Sequence, residues 1–162
     1  MGWKRILAPT DFSEPGDRAV ERAARMARHG GELHLAHVIA ARIGYAEMPE
    51  VMLPPMEDLV EEMRAAARKR LKELASRLAQ ATGAAIRAEA IHVEESALRP
   101  ADAIVALARD IDADLIVLGS HGHTGLLHAL LGSTAERVVR EAPCDVLVIK
   151  PSQTPEPASD SA

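Results

Sequence analysis

The sequence predicts a single-domain α/β fold built on an open parallel sheet, and three features predict it. Five short apolar segments alternate with four stretches of helical period, the rhythm of right-handed βαβ crossovers with helices on both faces of the sheet. Aromatic residues (Trp3, Phe12 and Tyr45) are only 2% of the chain against 48% hydrophobic residues, so the core has to be Leu, Ile, Val, Ala and Met, which suits parallel strands under alanine-rich helices. At 162 residues the chain is long enough to bury a real core and short for two domains.

Lys4 to Pro9 (KRILAP) reads as the first strand, with Pro9 where its ladder has to end. In the turn that follows, Ser13 is the candidate cap of a helix, and Pro15 fits the first turn, where a missing N–H costs little. Ala19, Val20, Ala23, Ala24 and Ala27 share one face of that helix, and Gly30-Gly31 stops it. Glu32 to Ala40 is the second strand, and Ala41 to Pro55 is a loop rich in Gly, Pro and Met. From Met56 a helical stripe runs through Leu59, Val60, Met63, Ala67, Leu71, Leu74 and Leu78 until Gly83. Acids at Glu57, Asp58, Glu61 and Glu62 precede bases at Arg68, Lys69, Arg70 and Lys72, an order that complements the helix dipole. Ala84 to Ile91 is the expected third strand, weakened by its alanines. Pro100 to Asp110 is the third helix, with Ile104, Val105 and Ala108 inward, and Leu115 to Leu118 (LIVL) is the most fully buried strand. Thr134 to Glu141 and Asp145 to Ile149 complete the domain, expected over 1–151, and the polar stretch 152–162 is expected to be a disordered tail.

Composition excludes several functions. A formal net charge of -5 and the absence of an aromatic platform argue against nucleic acid as a partner. Cys144 is the only cysteine, which leaves no intrachain disulfide and no thiolate cluster for zinc. No segment is apolar enough for a membrane span or a signal peptide, so no membrane association and a cytoplasmic location are expected.

The informative stretch is Leu118 to Thr134, LGSHGHTGLLHALLGST, placed after a buried strand, where open α/β sheets hold their ligands. Gly119, Gly122 and Gly132 are spaced G-x2-G-x9-G and are followed by Ser133 and Thr134. Glycines here permit tight turns and close approach of a ligand, and Gly132-Ser133-Thr134 opens a helix whose N–H groups and hydroxyls can converge on phosphate. The same glycines also serve as ordinary turn and cap residues, and spacing alone does not decide between the two. Neither the dinucleotide G-x-G-x-x-G after the first strand nor the P-loop G-x4-G-K-[ST] is present.

Two motifs at opposite ends of the chain, KRILAPTDFSEP and DLIVLGSHGHTGLLHALLGSTAERVVREAPCDVLVIKP, resemble those of the universal stress proteins, the UspA superfamily, over about residues 2–151. The resemblance implies a Rossmann-like fold of the adenine nucleotide alpha hydrolase type, with five parallel strands in the order 3-2-1-4-5. It also implies the ATP-binding subclass, which the G-x2-G-x9-G-[ST] pattern marks. Carried over, Asp11 reads the adenine edge beside Pro9 and Thr10, and Val38 contacts adenine through its backbone. Leu118 and Gly119 lie by the ribose and Gly122 by the phosphates, while Gly132, Ser133 and Thr134 hold phosphate oxygens. Magnesium or manganese is expected to accompany the phosphates, and a homodimer to form through the last strand, 145–149. An edge strand relieved by a second copy fits that expectation physically.

Other candidates have plainer readings. His121, His123 and His128 lie on the glycine-rich segment without a carboxylate or thiolate in ligand spacing, so no metal site is expected of them. His34 and His37 are expected to be structural, and Cys144 a structural thiol with no base to activate it. Tyr45 either covers a nucleotide or anchors its loop. Arg137 and Arg140 are expected to face solvent.

The resemblance thus implies an ATP-binding, nucleotide-dependent regulatory module of the stress response, with AMP or ADP as resting ligand alternatives and an unidentified protein partner. One alternative is a slow or partner-stimulated ATPase, although no dedicated lysine, arginine finger or acidic metal pair can be named and no catalytic residue is assigned. A second is a nucleotide-free structural or chaperone-like protein.

Overall fold

A computed structural model of the chain describes residues 2–40, 56–84, 86, 91–96, 99–121 and 131–151. Nine elements alternate along them: β1 (Arg5–Pro9), α1 (Glu14–Ala27), β2 (Glu32–Ile39), α2 (Met56–Thr82), β3 (Ile91–Glu95), α3 (Pro100–Asp110), β4 (Leu115–Gly119), α4 (Ser133–Glu141) and β5 (Asp145–Ile149). The strands form one sheet in the order β3-β2-β1-β4-β5, and every neighbouring pair is parallel. Chain order therefore reverses between β1 and β4, the place where an open α/β sheet leaves a crevice at the carboxyl ends of its strands.

Strand alternation sorts the interior into two layers. Ile6, Ala8, Leu33, Leu35, Ile91 and Val117 meet the alanine face of α1 and the Leu71–Leu74–Leu78 face of α2. Leu7, Ala36, Ile116 and Leu118 meet Ile104, Leu107 and Ala108 of α3 and Ala135 and Val138 of α4. The alanines of α1 let that helix sit close on the sheet, so residues at both ends of β1 and β4 are tightly located. Leu35 and Ile116 are fully buried, and truncating either to alanine costs about 2–5 kcal/mol.

Local signals agree with these elements at most boundaries. Ser13 caps α1 by accepting from the Gly16 N–H, with Pro15 in the first turn. Gly83, at φ +72°, ends α2 in the left-handed conformation and donates to the Ala79 carbonyl. Three expectations need correction. The third strand, expected over 84–91, is Ile91–Glu95 among the described residues; Ala84 and Ile86 are not in a strand, and 85 and 87–90 lie outside the described residues. Strand β3 is an edge strand with alternating burial, Ile91 and Val93 inward, so polar His92, Glu94 and Glu95 are tolerated where a continuous apolar run is not required. Among the described side chains of the α2 stripe, burial begins at Ala67, with Leu59 and Val60 half-buried and Met63 exposed. A helix of 27 residues is about 40 Å long and overhangs a five-residue strand of about 17 Å. The bases at 68–72 lie mid-helix and the last turn of α2 carries none, so its dipole is complemented only at the start, by Glu57 and Asp58. The loop expected at 41–55 and the tail expected at 152–162 lie outside the described residues.

Candidate nucleotide site

The carboxyl end of β1 turns sharply into α1, and this turn is densely hydrogen-bonded. Thr10 donates its N–H to the Ala36 carbonyl at 2.8 Å, which carries the β1–β2 ladder one residue past Pro9. Thr10 Oγ1 accepts the Phe12 N–H at 2.8 Å, and Asp11 Oδ1 accepts the Ser13 N–H at 3.0 Å as well as the Ser13 hydroxyl. Phe12 is left-handed at φ 62°, a conformation that costs a non-glycine residue about 1–3 kcal/mol and clusters at functional sites. The Thr10 and Asp11 side chains are thereby aimed by backbone geometry that the surrounding bonds enforce.

Two glycines let the neighbouring elements reach this turn. A Cβ on Gly16 would lie 2.8 Å from Asp11 Oδ1 and 2.9 Å from Thr10 Oγ1. A Cβ on Gly119 would lie 2.9 Å from the Pro15 carbonyl carbon and 3.0 Å from the Gly16 nitrogen. The end of β4 therefore packs directly against the first turn of α1, on the β1 side of the crevice. Gly119 has a packing reason to be glycine, independent of any ligand.

The phosphate candidates come from α4. Gly132 is the N-cap of this helix and has no side chain to bond the first N–H groups, and Ser133 and Thr134 are its first two residues. The Gly132 N–H donates to the Ser120 carbonyl at 2.7 Å, and the Ser120 N–H donates to the Ile149 carbonyl at 2.8 Å, so the start of α4 is tied to the ends of β4 and β5. Ser133 is exposed and Thr134 half-buried. Both line an open groove of about 530 Å³ between the starts of α3 and α4, with Arg99 and Arg137 among its other walls.

The crevice thus brings together Pro9, Thr10 and Asp11 at the end of β1, Val38 near the end of β2, and Leu118 and Gly119 at the end of β4. Gly132, Ser133 and Thr134 stand beyond β4 at the same rim of the sheet. The groove at Ser133 and Thr134 does not reach Pro9–Asp11. Gly122, His123 and His128 lie outside the described residues, as does Tyr45. Among the described residues no group of three or more His, Cys, Asp or Glu side chains is arranged to hold a metal ion.

Of the side chains with plainer expectations, Arg137 departs from its own and His37 adds a contact to the candidate site. His37, expected to be structural, reaches the site: its Nδ1 lies 2.9 Å from the Thr10 carbonyl and, facing an acceptor, carries the proton. Its ring stacks on Phe12 with centroids 4.6 Å apart. Burial holds its pKa below the ordinary imidazole value, with the Thr10 carbonyl and Asp11 pulling the other way. His34 is structural, as expected, and pairs with His92 on β3, Nδ1 to Nε2 at 3.0 Å, both imidazoles held low by desolvation first. Arg137, expected to face solvent, instead joins α4 to α3 through Asp102 at 2.8 Å and also meets Glu141 at 3.2 Å. Arg140 pairs with Glu136 on its own helix. The Cys144 thiol is half-buried and pushed up in pKa by desolvation and then by Asp114 and Asp145, the opposite of an activated nucleophile. Sequence reasoning passed over Gly16, Phe12 and Arg70. The only local hint was a glycine inside the first turn of an otherwise alanine-rich helix.

Comparison with known proteins bears on fold and family. The family model described as the Universal stress protein family matches residues 2–150. Universal stress protein MJ0531 of Methanocaldococcus jannaschii is 34% identical over 149 residues, covering 91% of this chain and 82% of that protein. Universal stress protein A homolog 1 of Coxiella burnetii is 32% identical, covering 92% of this chain and 97% of its own. Among solved structures, a universal stress protein in complex with cAMP superposes with a TM-score of 0.66 at 27% identity, covering 94% of this chain and all of that one (100%). A universal stress protein of Archaeoglobus fulgidus in complex with dAMP does so with a TM-score of 0.61 at 26% identity, covering 93% and 100%.

Proposed function

This chain belongs to the universal stress protein family, and on that premise we propose that it is an ATP-binding regulatory module of the stress response. The observation that carries the reading is the start of α4. Gly132-Ser133-Thr134 presents the N-terminus of a helix without a side-chain cap, tied by the Gly132 N–H to the rim of the sheet. Such an N-terminus, with two hydroxyls beside it, favours phosphate through both its orphan donors and the helix dipole. Across the crevice the Pro9–Asp11 turn and Val38 offer the edge that receives adenine, with Leu118 and Gly119 between them at the ribose. The complexes of two family members with cAMP and with dAMP support an adenine nucleotide as the class of ligand.

A magnesium or manganese ion would be held through the nucleotide's phosphates, with the Ser133 and Thr134 hydroxyls available as neutral oxygen donors. The proposed assembly is a homodimer through β5. This strand is one of the two edges of the sheet among the described residues, and its Val146, Leu147, Val148 and Ile149 are only half-buried. No helix among the described residues is long and apolar enough to cross a membrane, and a cytoplasmic location is part of the proposal.

The phosphate assignment is tested by titration calorimetry with Mg-ATP and with adenosine. Replacing Ser133 by Ala and Thr134 by Val together is expected to weaken Mg-ATP by about tenfold or more, the loss of hydrogen bonds to a charged group, while adenosine binding holds. Undiminished Mg-ATP affinity in the folded double variant contradicts the assignment.

A further inference from the structure

We propose that Arg70 is a positioning residue of the nucleotide site, acting from α2 through a stack with Phe12 and His37 that sets the β1–α1 turn. The proposal rests on the adenine-nucleotide reading above and names a control on that same site.

Three side chains, from α2, β2 and the β1–α1 turn, form the stack. The Arg70 guanidinium carbon lies 3.9 Å from the centroid of the Phe12 ring. Phe12 in turn stacks on the His37 imidazole, 4.6 Å between centroids at an interplanar angle of 30°. His37 donates from Nδ1 to the Thr10 carbonyl at 2.9 Å, and that carbonyl belongs to the peptide that leads into Asp11. A continuous line of contacts thus runs from the middle of α2 to the backbone of the proposed adenine edge.

The turn needs such support. A phenylalanine at φ 62° is in a conformation that L-residues avoid and glycine adopts freely. A glycine here would relieve the strain and lose the stack, so the ring must contribute something that outweighs easy backbone geometry. Arg70 is exposed and forms no ion pair among the described residues, which leaves its charge directed at the ring face. The Arg70 charge also acts on His37 beyond Phe12, lowering its pKa in addition to desolvation and so favouring the neutral imidazole. Elsewhere on α2, Arg64 pairs with Glu95 at the end of β3, so this helix is anchored to the carboxyl rim of the sheet at two points. A nucleotide that prefers the set turn must, by linkage, favour the docked position of α2 to the same degree.

The test uses the full chain with Arg70→Ala and Arg70→Lys, Mg-ATP calorimetry, and NMR titration of the His37 ring. Arg70→Ala is expected to weaken Mg-ATP by about two- to fivefold, the worth of an exposed cation–π contact. It is also expected to raise the His37 pKa, because a neighbouring positive charge is gone. Arg70→Lys keeps the charge and is expected to recover most of the affinity. Phe12→Gly, which frees the backbone but removes the ring, is expected to weaken binding too. A merely structural arginine would lower the unfolding temperature and leave the Mg-ATP affinity alone. Unchanged affinity in Arg70→Ala overturns the proposal whether or not His37 shifts. A parent chain that binds no Mg-ATP overturns the functional reading, and the proposal with it, a result distinguishable from failure of the proposal alone.

Discussion

Replacing Gly16 by alanine puts a methyl group where three oxygen atoms already converge. The new Cβ would stand 2.8 Å from Asp11 Oδ1, 2.9 Å from Thr10 Oγ1 and 3.3 Å from Ser13 Oγ. The Asp11 carboxylate is not free to swing away, since it accepts from both the N–H and the hydroxyl of Ser13. Thr10 Oγ1 is likewise occupied by the Phe12 N–H at 2.8 Å. Alanine is the better helix former by about 1 kcal/mol. Against that gain stand a hydrogen bond to a charged group, worth about 1.5–3 kcal/mol, and the Ser13 cap, worth about 1 kcal/mol. The expected balance is a destabilisation of about 1.5–3 kcal/mol, a fall in unfolding temperature of roughly 3–12 °C for a domain of this size. Mg-ATP should also bind more weakly, because the displaced carboxylate is the proposed adenine contact. Circular dichroism melts and calorimetry read the two effects separately. A variant as stable as the parent or more so, with undiminished Mg-ATP affinity, would refute the reasoning, because the oxygen cluster would then hold neither the turn nor the ligand.

Gly119→Ala meets main-chain atoms of Pro15 and Gly16 at 2.9–3.0 Å instead of side-chain ends, so it should cost about 1–3 kcal/mol by overpacking; an unchanged melt would show that β4 and α1 can separate without loss. Acid should weaken the fold through His34, His37 and His92, whose pKa values are lowered chiefly by burial. With the folded value below the unfolded one, near 6.5, the unfolded chain binds more protons between the two. Stability is therefore complete above about pH 6.5 and declines as pH falls through the folded values. Melts between about pH 7.5 and about 5 should show that decline, and His92→Leu should flatten it; a slope that His92→Leu leaves untouched would remove the imidazole pair from the account.

The strands that run through the middle of the sheet were legible because burial on both faces demands continuous apolar runs, as in Leu115–Leu118. Helix α1 was legible because Ser13, Pro15 and Gly30 mark its limits chemically, and α3 because Pro100 can only begin it. Strand β3 was missed beyond Ile91 because an edge strand needs only alternate apolar residues, and IHVEE carries just two. The exposed start of α2 depends on how far the helix outruns the sheet, which periodicity does not encode. For the site, the glycine pattern and the turn at Pro9–Asp11 could be read from the chain because both are local. The roles of His37 and Arg70 are long-range consequences of the β1–β2 register and the placement of α2, and nothing near them in sequence announces either. Gly16 was passed over because a glycine in a helix's first turn is unremarkable until the Asp11 carboxylate is seen 2.8 Å from where its Cβ would be.

Native mass spectrometry of the full chain with and without Mg-ATP, followed over several hours, tests adenine-nucleotide binding most directly and reports subunit number in the same spectrum. The account predicts a dimer carrying one adenine nucleotide per subunit, with the bound fraction reduced at limiting Mg-ATP when Ser133 and Thr134 are both replaced. A chain that stays free of nucleotide at millimolar Mg-ATP would contradict it and leave the glycine-rich segment a structural feature of the sheet's rim.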